Sequence, residues 1–275
     1  MNGSLVSVII PTYNRSQTIK RAIDSVLAQT YGNMEILVVD DSSVDDTSMI
    51  VSQIKDDRIV YLKHGINKGA GSARNTGLRA AKGAYIAFQD SDDEWVSTKI
   101  EKQMAVFENG PSELGVVYTD MLQMNRGGIA EYKEAPNIIS GKIINSHTME
   151  YQVFGIGIVT SLIRRECFEK AGLFDERFSR FVDLELFIRL VKEYRFYRIK
   201  EPLIKYYYTP VRISSSVDAY ITAEKLLLEK YAEDIKNNKK FLSKRYYRIA
   251  VAFLIIGRFA CAKTYYLKSI KAYLS

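Results

Sequence analysis

The sequence contains few of the residues on which several classes of protein depend. Among its 275 residues there are two cysteines and two histidines. Cys167 and Cys261 are isolated, which argues against a disulfide framework or a thiolate metal site, and His64 and His147 lack the spacing of zinc ligands. We expect small core cysteines and histidines that are exposed or hydrogen-bonded.

Long hydrophobic runs are also missing. IAVAFLIIG, which begins at Ile249, is far shorter than the roughly 18 residues that cross a bilayer. The first residues, MNGSLVSVIIPTYN, have no basic leader, and Pro11 interrupts their apolar run, so they predict a strand and not a signal peptide. These features predict a soluble protein of the cytoplasm.

Two nucleotide-binding motifs are absent as well. No segment matches G-x-x-x-x-G-K-[ST], so the sequence disfavours a P-loop kinase or GTPase. GAGSAR, which begins at Gly69, departs from G-x-G-x-x-G at its last position and does not follow the first strand, so a dinucleotide-binding fold is disfavoured. No Ser-His-Asp arrangement surrounds a nucleophile elbow.

The positive charge is concentrated at one end of the chain. Residues 1–216 carry 27 Lys and Arg against 27 Asp and Glu, whereas residues 217–275 carry 12 against 5, which accounts for the whole net charge of +7. This asymmetry predicts a domain boundary after residue 216. The neutral larger part argues against nucleic-acid binding.

The first half of the chain alternates between two hydrophobic periodicities. Apolar runs rich in β-branched residues occur at LVSVII, MEILVV, RIVYL, AYIAF and GVVYT, and segments with helical spacing separate the first four. The alternation predicts an α/β fold with a doubly wound, mostly parallel sheet. If its strand order is 3-2-1-4, the order reverses between the first strand and the fourth. Ligands bind such sheets where the strand order reverses.

Three polar clusters follow strands that meet at this point. They are PTYN at 11–14, DDSS at 40–43 and QDSDDE at 89–94. The last one places Asp90, Asp92, Asp93 and Glu94 within five positions. A hard divalent cation would relieve their repulsion, and capping of the next helix is the alternative role for these acids.

With these segments the chain resembles the family-2 inverting glycosyltransferases with the GT-A fold. The similarity covers roughly residues 5–210 and rests on the PTYN and DDSS segments, on NKGAGSARNTGLRAAKGAYIAFQDSDD and on GLFDERFSRFVDLELFIRL. The resemblance implies a catalytic domain over 1–216 that transfers a sugar from a nucleotide-sugar, in the first place a UDP-sugar. The acceptor would be a hydroxyl group of a glycan, a glycoprotein or a lipid-linked sugar.

The resemblance also assigns roles to individual residues. It places the donor nucleoside against the PTYN segment and the acidic pair after the second strand, and it places the diphosphate near an arginine and a cation, Mn²⁺ or Mg²⁺, held by the D-x-D acids. Packing, turn capping and a solvated arginine are the structural alternatives. The implied donor-binding residues are Pro11, Thr12, Tyr13, Asn14, Asp40, Asp41, Arg74, Asp90 and Ser91, and the implied metal ligands are Asp92 and Asp90.

An inverting transfer also needs a base for the acceptor hydroxyl. The resemblance assigns this role to Asp183 in FVDLELFIRL, where Val182 replaces the glutamate that precedes it in the family. Glu185 is the fallback base, and helix capping by Asp183 is the structural alternative. Downstream, IKYYYTPVRISSS lacks the family's arginine or histidine near the diphosphate, and Lys205 or Arg212 would supply that charge.

The charge and the hydrophobic spacing of residues 217–275 predict a basic helical C-terminal appendage. Helical spacing occurs in AYITAEKLLLEKYAEDI, FLSKRYYRIAVAFLII and FACAKTYYLKSIKAYL, and the last two flank Gly257 like the arms of a hairpin. We predict a homodimer through these helices. The alternatives are docking onto the catalytic domain and peripheral contact with the inner face of an anionic membrane.

Two other functions fit parts of the sequence. A sugar-nucleotide pyrophosphorylase uses a similar sheet, but its glycine-rich, arginine-containing loop is absent after the first strand. An inactive carbohydrate-binding or scaffold protein needs no metal site together with a separate base. The sequence therefore favours the transferase and leaves the sugar and the acceptor open.

Overall fold

The computed structural model describes residues 3–125, 127–136, 153, 155–207 and 216–274. The strands in these ranges are β1 (Val6–Thr12), β2 (Met34–Asp40), β3 (Ile59–Lys63), β4 (Tyr85–Phe88), β5 (Glu94–Trp95), β6 (Leu114–Met124), β7 (Ala130–Lys133), β8 (Ser161–Arg164) and β9 (Arg195–Tyr207). The helices are α1 (Ile19–Leu27), α2 (Thr47–Gln53), α3 (Ala70–Ala80), α4 (Lys99–Asn109), α5 (Arg165–Ala171), α6 (Val182–Val191), α7 (Val217–Lys230), α8 (Ala232–Ile235), α9 (Lys239–Ile255) and α10 (Phe259–Leu274).

The strands form a mixed sheet of order β3-β2-β1-β4-β8-β6-β9-β5, with β7 paired to β6. The first four strands are parallel and lie in the order 3-2-1-4, the order on which the expected position of the ligand site depended. All seven residues of β1 are buried, because helices cover both faces of this part of the sheet. Beyond β4 the sheet continues through the antiparallel strand β8.

The helices pack closely on the parallel half of the sheet. On α1, the buried residues Ile19, Ile23 and Val26 recur at helical spacing and form its core face. On α3, a Cβ atom at Gly77 would lie 2.5 Å from Cγ2 of Ile9 in β1. Glycine at this position therefore sets the short distance between α3 and the sheet, and with it the height of the α3 side chains above the strand ends.

A buried ion pair holds the other half of the sheet together. Asp120 in β6 accepts hydrogen bonds from Nε and Nη2 of Arg198 in β9, at 2.8 and 2.9 Å. It also accepts hydrogen bonds from the Tyr132 hydroxyl in β7 and from the backbone N–H of Ala135, the latter at 2.8 Å. One carboxylate thus joins three strands and the segment that leaves them.

The predicted C-terminal helices are present. Ala223, Leu227 and Tyr231 are buried in the same hydrophobic core as the sheet, so α7 packs on the catalytic part of the chain. Arg245 of α9 is buried against Glu224 of α7, with 2.9 Å between Nη1 and Oε1. The domain boundary after residue 216 stays a prediction. In the described part of the chain, no helix is long and apolar enough to cross a membrane.

Candidate active site

A cleft of about 640 Å³ opens at the carboxyl ends of β1 and β4, where the strand order reverses. The structure brings nine of the eleven predicted site residues to its walls, and Asn14 and Asp40 are the two that do not line it. The nine are Pro11, Thr12, Tyr13, Asp41, Arg74, Asp90, Ser91, Asp92 and Asp183.

Asn14 and Asp40 shape the loops that carry the cleft. Asn14 has φ 51°, and its side chain accepts a hydrogen bond from the backbone N–H of Val44 at 3.0 Å. Asp40 is buried and accepts hydrogen bonds from the backbone N–H of Ser43, at 2.7 Å, and from the Tyr61 hydroxyl. These contacts tie the loop after β1 to the loop after β2.

Asp41 fixes the loop that leads into α3. Its oxygens accept hydrogen bonds from the backbone N–H groups of Lys68 and Gly69, at 2.8 and 2.7 Å. The ring of His64 lies between Asp41, 2.7 Å from Nδ1, and the Thr76 hydroxyl, 2.9 Å from Nε2. His64 is therefore a hydrogen-bonded histidine, as predicted, and Asp41 acts here on the backbone of the cleft wall.

Arg74, on α3, connects the two acidic sides of the cleft. Its Nη2 lies 3.0 Å from Oδ1 of Asp90, and its Nη1 lies 3.9 Å from Oδ1 of Asp183. Burial of the guanidinium works against its charge, but the two carboxylates outweigh burial and raise the pKa of Arg74. This arginine is a fixed positive charge between the D-x-D acids and the predicted base.

The four acids after β4 divide into two pairs. Asp90 and Asp92 line the cleft, and Oδ2 of Asp92 lies 3.7 Å from Nη2 of Arg15. Asp93 is buried and accepts a hydrogen bond from the backbone N–H of Tyr207 at 3.0 Å. Glu94 points elsewhere, to Lys205 and the Tyr207 hydroxyl, at 2.7 and 2.9 Å. Two of the four carboxylates are therefore placed to meet a ligand.

The described residues contain no group of three or more His, Cys, Asp or Glu side chains that could hold a metal ion on its own. Asp90 and Asp92 still fit a hard cation, because Mg²⁺ is commonly held by one or two carboxylates while substrate phosphates and water complete its coordination. Their arginine partners, Arg74 and Arg15, balance the two negative charges. The site has the donor atoms for a cation that arrives with a diphosphate.

Asp183 lies in the first turn of α6. Its Oδ2 accepts a hydrogen bond from the backbone N–H of Ile158 at 3.0 Å, and a third of its side chain is exposed in the cleft. Partial burial raises the pKa of this carboxyl group, although Arg74 opposes the shift. The turn before α6 depends on Phe181, whose φ of 62° is unusual for a bulky residue. Such strain is typical of functional sites.

Glu185, the fallback base, is buried on another face of α6. Its carboxylate contacts Nη2 of Arg189 and Nζ of Lys230, each at 2.8 Å, and the Tyr231 hydroxyl, also at 2.8 Å. It is absent from the walls of the cleft. The structure therefore makes Glu185 an anchor for the C-terminal helices and does not support it as a base.

Asn75 does not line the cleft, but it helps to position two segments that do, and the sequence did not predict this role. Its side chain accepts a hydrogen bond from the backbone N–H of Phe174 at 2.9 Å, and it donates to the Phe174 carbonyl at 2.9 Å and to Glu176 at 2.7 Å. These bonds clamp α3 to the GLFDE segment that leads to Asp183. The only signal in the sequence was the position of Asn75 directly after Arg74.

Besides Arg74, the basic side chains that line the cleft in the described part of the chain are not Lys205 or Arg212, the two expected from the sequence. Arg15 and Arg180 line the cleft. Lys205 lies outside it, paired with Glu94. Arg212 and His147 lie outside the described residues.

The family model described as "Glycosyl transferase family 2" matches residues 7–172. Since this is more than half of the chain, the chain belongs to glycosyl transferase family 2, which confirms the predicted family and enzyme class.

Two relatives from Escherichia coli carry the name UDP-Glc:alpha-D-GlcNAc-diphosphoundecaprenol beta-1,3-glucosyltransferase. WfaP is 54% identical over 104 residues, which are 38% of this chain and 41% of that protein. WfgD is 39% identical over 166 residues, 60% of this chain and 62% of that protein. The matched stretches thus span about half the length of these relatives.

Solved structures of glycosyltransferases share the fold. Staphylococcus aureus TarS 1-349 in complex with UDP-GlcNAc has a TM-score of 0.65 at 18% identity, over 98% of this chain and 89% of that one. A mannosyltransferase from Pyrobaculum calidifontis, in complex with GDP-Man and Mn2+, has a TM-score of 0.60 at 18% identity, over 98% and 74%. The predicted GT-A type fold is confirmed.

Proposed function

We propose that this protein is an inverting, metal-dependent glycosyltransferase that moves a hexose from a UDP-sugar to a hydroxyl group of a lipid-linked sugar. The observation that carries this proposal is the arrangement of Asp90, Arg74 and Asp183 across one cleft. UDP-glucose and a diphospholipid-linked GlcNAc are the substrates to test first, because the names of the two Escherichia coli relatives contain them. A glycan or a glycoprotein acceptor is the alternative.

The wall formed by the PTYN segment suits a nucleoside. Tyr13 lines the cleft and is 44% exposed, so its ring is accessible to stack on uracil. Oγ1 of Thr12 is buried and has no hydrogen-bond partner in the described part of the chain. A ribose or base hydrogen bond would satisfy this hydroxyl group, which otherwise carries a desolvation cost.

The acidic side of the cleft suits a diphosphate. Asp90 and Asp92 would hold Mn²⁺ or Mg²⁺, and the bound cation would stabilise the negative charge of the departing nucleoside diphosphate. Arg74 and Arg15 already contact these two carboxylates, so both guanidinium groups are close enough to meet phosphate oxygens as well.

Asp183 supplies the base. Its carboxylate takes the proton of the acceptor hydroxyl while that oxygen attacks the anomeric carbon on the face opposite the diphosphate. One displacement of this kind converts an α-linked donor into a β-linked product. A raised pKa brings the carboxyl group nearer to neutrality, where a general base is more effective.

The test is transfer from UDP-glucose, followed by UDP release and by the configuration of the product. Asp92→Asn should lower turnover by orders of magnitude in Mn²⁺, and EDTA should abolish the activity of the unchanged protein. Asp24→Asn is the matched control, because Asp24 is a helical carboxylate that pairs with Lys20 outside the cleft. Full turnover in EDTA would contradict metal dependence, and an α-linked product would contradict the single displacement.

A further inference from the structure

The hairpin of α9 and α10 concentrates exposed hydrophobic side chains on one face. Nine of the seventeen exposed large hydrophobic residues in the described part of the chain belong to these two helices. On α10, spacings of three and four place several of them along one line, and the rings of Tyr247 and Tyr266 lie 6.4 Å apart and join the two helices. This hairpin face comprises Tyr247, Leu254 and Ile255 of α9 and Phe259, Tyr266, Leu267, Ile270, Tyr273 and Leu274 of α10.

The hairpin carries charge of one sign. Residues 239–275 contain nine Lys and Arg and no Asp or Glu. Lys263 follows Phe259 by four residues and precedes Tyr266 by three, so this exposed lysine lies within the line of aromatic residues. Lys271, also exposed, follows Leu267 by four. The hairpin face is therefore hydrophobic and basic at once.

This face is separate from the side of the hairpin that packs on the protein. Ile249, Phe253 and Ala262 form a small core with Ile221 of α7. Helix α7 in turn reaches the cleft, where the rings of Tyr220 and Phe181 lie 5.4 Å apart. The hairpin is thus fastened to the wall of the active site, while its other side is left without a covering element in the described part of the chain.

The charge of the hairpin distinguishes between two partners for this face, a second copy of the chain and a lipid bilayer. In a two-fold dimer the same patch meets itself, so the exposed lysines Lys263 and Lys271 would approach their own copies, and residues 239–275 of neither chain supply a carboxylate to pair with them. An anionic bilayer has the complementary charge. Tyrosine and phenylalanine rings suit the level of the lipid headgroups, and lysine stems lie along apolar surface while their ammonium groups reach anionic lipids.

We propose that the hairpin face docks on the surface of an anionic lipid bilayer and lies in the headgroup region. A face that is both apolar and basic, on helices with a packed opposite side, is suited to lie in the headgroup region. An acceptor sugar carried on a lipid diphosphate, as named for the two relatives, would then be presented at the membrane that the hairpin contacts.

The experiment is flotation of the full chain with phosphatidylcholine vesicles that contain or lack phosphatidylglycerol, without donor or acceptor. The protein should bind the anionic vesicles, and added salt should weaken the binding. The double variant Lys263→Glu, Lys271→Glu should bind them about tenfold more weakly or worse. Phe259→Ser with Tyr273→Ser should bind more weakly at every salt concentration.

Matched control variants make the same kinds of substitution at exposed positions away from the hairpin. Lys55→Glu with Lys82→Glu reverses two exposed lysines away from the hairpin, and Met49→Ser with Val60→Ser removes two exposed apolar side chains. Both controls should bind vesicles as the unchanged protein does. UDP-glucose hydrolysis in solution should persist in all four variants, so a failure of vesicle binding is distinguishable from a failure of the proposed reaction.

Three results would overturn the proposal. The first is equal binding, or no binding, to vesicles with and without phosphatidylglycerol. The second is a control pair that loses as much binding as the hairpin variants. The third is a dimer, measured by light scattering, that Phe259→Ser with Tyr273→Ser converts to a monomer, because that result would show a second copy of the chain on the hairpin face.

Discussion

Two faces of helix α6 present carboxylates in opposite electrostatic environments. Asp183 faces the cleft, where burial raises its pKa. Burial alone would also raise the pKa of Glu185, but Arg189, Lys230 and Tyr231 outweigh burial and lower it. Both side chains are carboxylates, and only one residue separates them in the sequence. The burial and the neighbouring charges of each carboxylate, and not the type of side chain, therefore decide which of the two can exchange a proton. The cleft face is suited to chemistry and the other face to holding α7.

Replacement of Asp183 should have the largest effect. Asp183→Asn keeps the shape of the side chain but removes the group that accepts the acceptor's proton, so turnover should fall about 10²- to 10⁴-fold. The measurement is steady-state transfer from UDP-glucose, with circular dichroism to confirm folding. If Asp183→Asn retained near-normal turnover, the assignment of the two faces would be wrong.

Removal of the charge of Glu185 should act on stability instead. Glu185→Gln leaves Arg189 and Lys230 without their shared carboxylate, and breaking a buried ion pair costs about 3–5 kcal/mol. Chemical denaturation at pH 7 measures this loss in the free energy of unfolding. The control, Asp234→Asn, breaks only the partly exposed pair with Lys192 and should cost under about 1 kcal/mol.

The same ion pair has a defined pH dependence. Since the folded-state pKa of Glu185 lies below its unfolded value, its stabilising contribution is present above the unfolded value of about 4.3 and is lost as pH falls through the lowered folded value. The stability difference between Glu185→Gln and the unchanged protein should shrink over this acidic range. A difference that stayed constant would contradict the lowered pKa.

The raised pKa of Asp183 predicts that the acidic limb of the kcat/KM profile lies at a higher pH than is usual for an aspartate. The base must be ionised, and its pKa is raised, so kcat/KM should begin to fall at a pH above the value of about 3.9 that is usual for aspartate. The measurement is kcat/KM for UDP-glucose and acceptor over the range in which circular dichroism shows a folded protein. An acidic limb at or below the usual value would contradict the environment described for Asp183.

Lys99 extends the comparison of environments to a buried amine. Its ammonium group is buried, hydrogen-bonded to Gln103 at 2.9 Å and 4.0 Å from the centre of the Trp95 ring, and burial lowers its pKa well below the usual value. Because the unfolded chain binds this proton more tightly, the buried lysine destabilises the folded state increasingly as pH falls below about 10.4. Lys99→Met should therefore gain stability relative to the unchanged protein as pH falls from about 10.4 toward the lowered folded-state pKa. Urea denaturation at several pH values measures this trend, and Lys55→Met, at an exposed site, should show none.

The sequence predicted the parts of the site that depend on local pattern. The parallel strands of the first half followed from apolar periodicity and the handedness of crossovers, and the position of the cleft followed from the strand order 3-2-1-4 that was assumed for them. The motifs marked Arg74, Asp90, Asp92 and Asp183, and all four line the cleft. Their chemical roles stay predictions.

The sequence could not determine contacts between distant segments. Asn75 bonds to Phe174, 99 residues further along the chain, and no local pattern encodes such a pair. Asp40 and Asn14 also occur in the expected motifs, yet the fold turns their side chains toward the adjoining loops. The charge asymmetry of the sequence marked α7 as part of the C-terminal appendage. The burial of α7 against the core could not be predicted in this way, because it depends on apolar faces that come together only in the folded chain.

Helix α6 shows where this limit lies. At about 100° per residue, the sequence alone determined that Asp183 and Glu185 point to different sides of one helix. It did not determine which side faces the cleft, because that depends on Arg74 from α3 and Lys230 from α7, which contact the helix from opposite directions. The tertiary structure decided this, since the pKa of a carboxyl group is set by burial and by the charges that the fold brings near it.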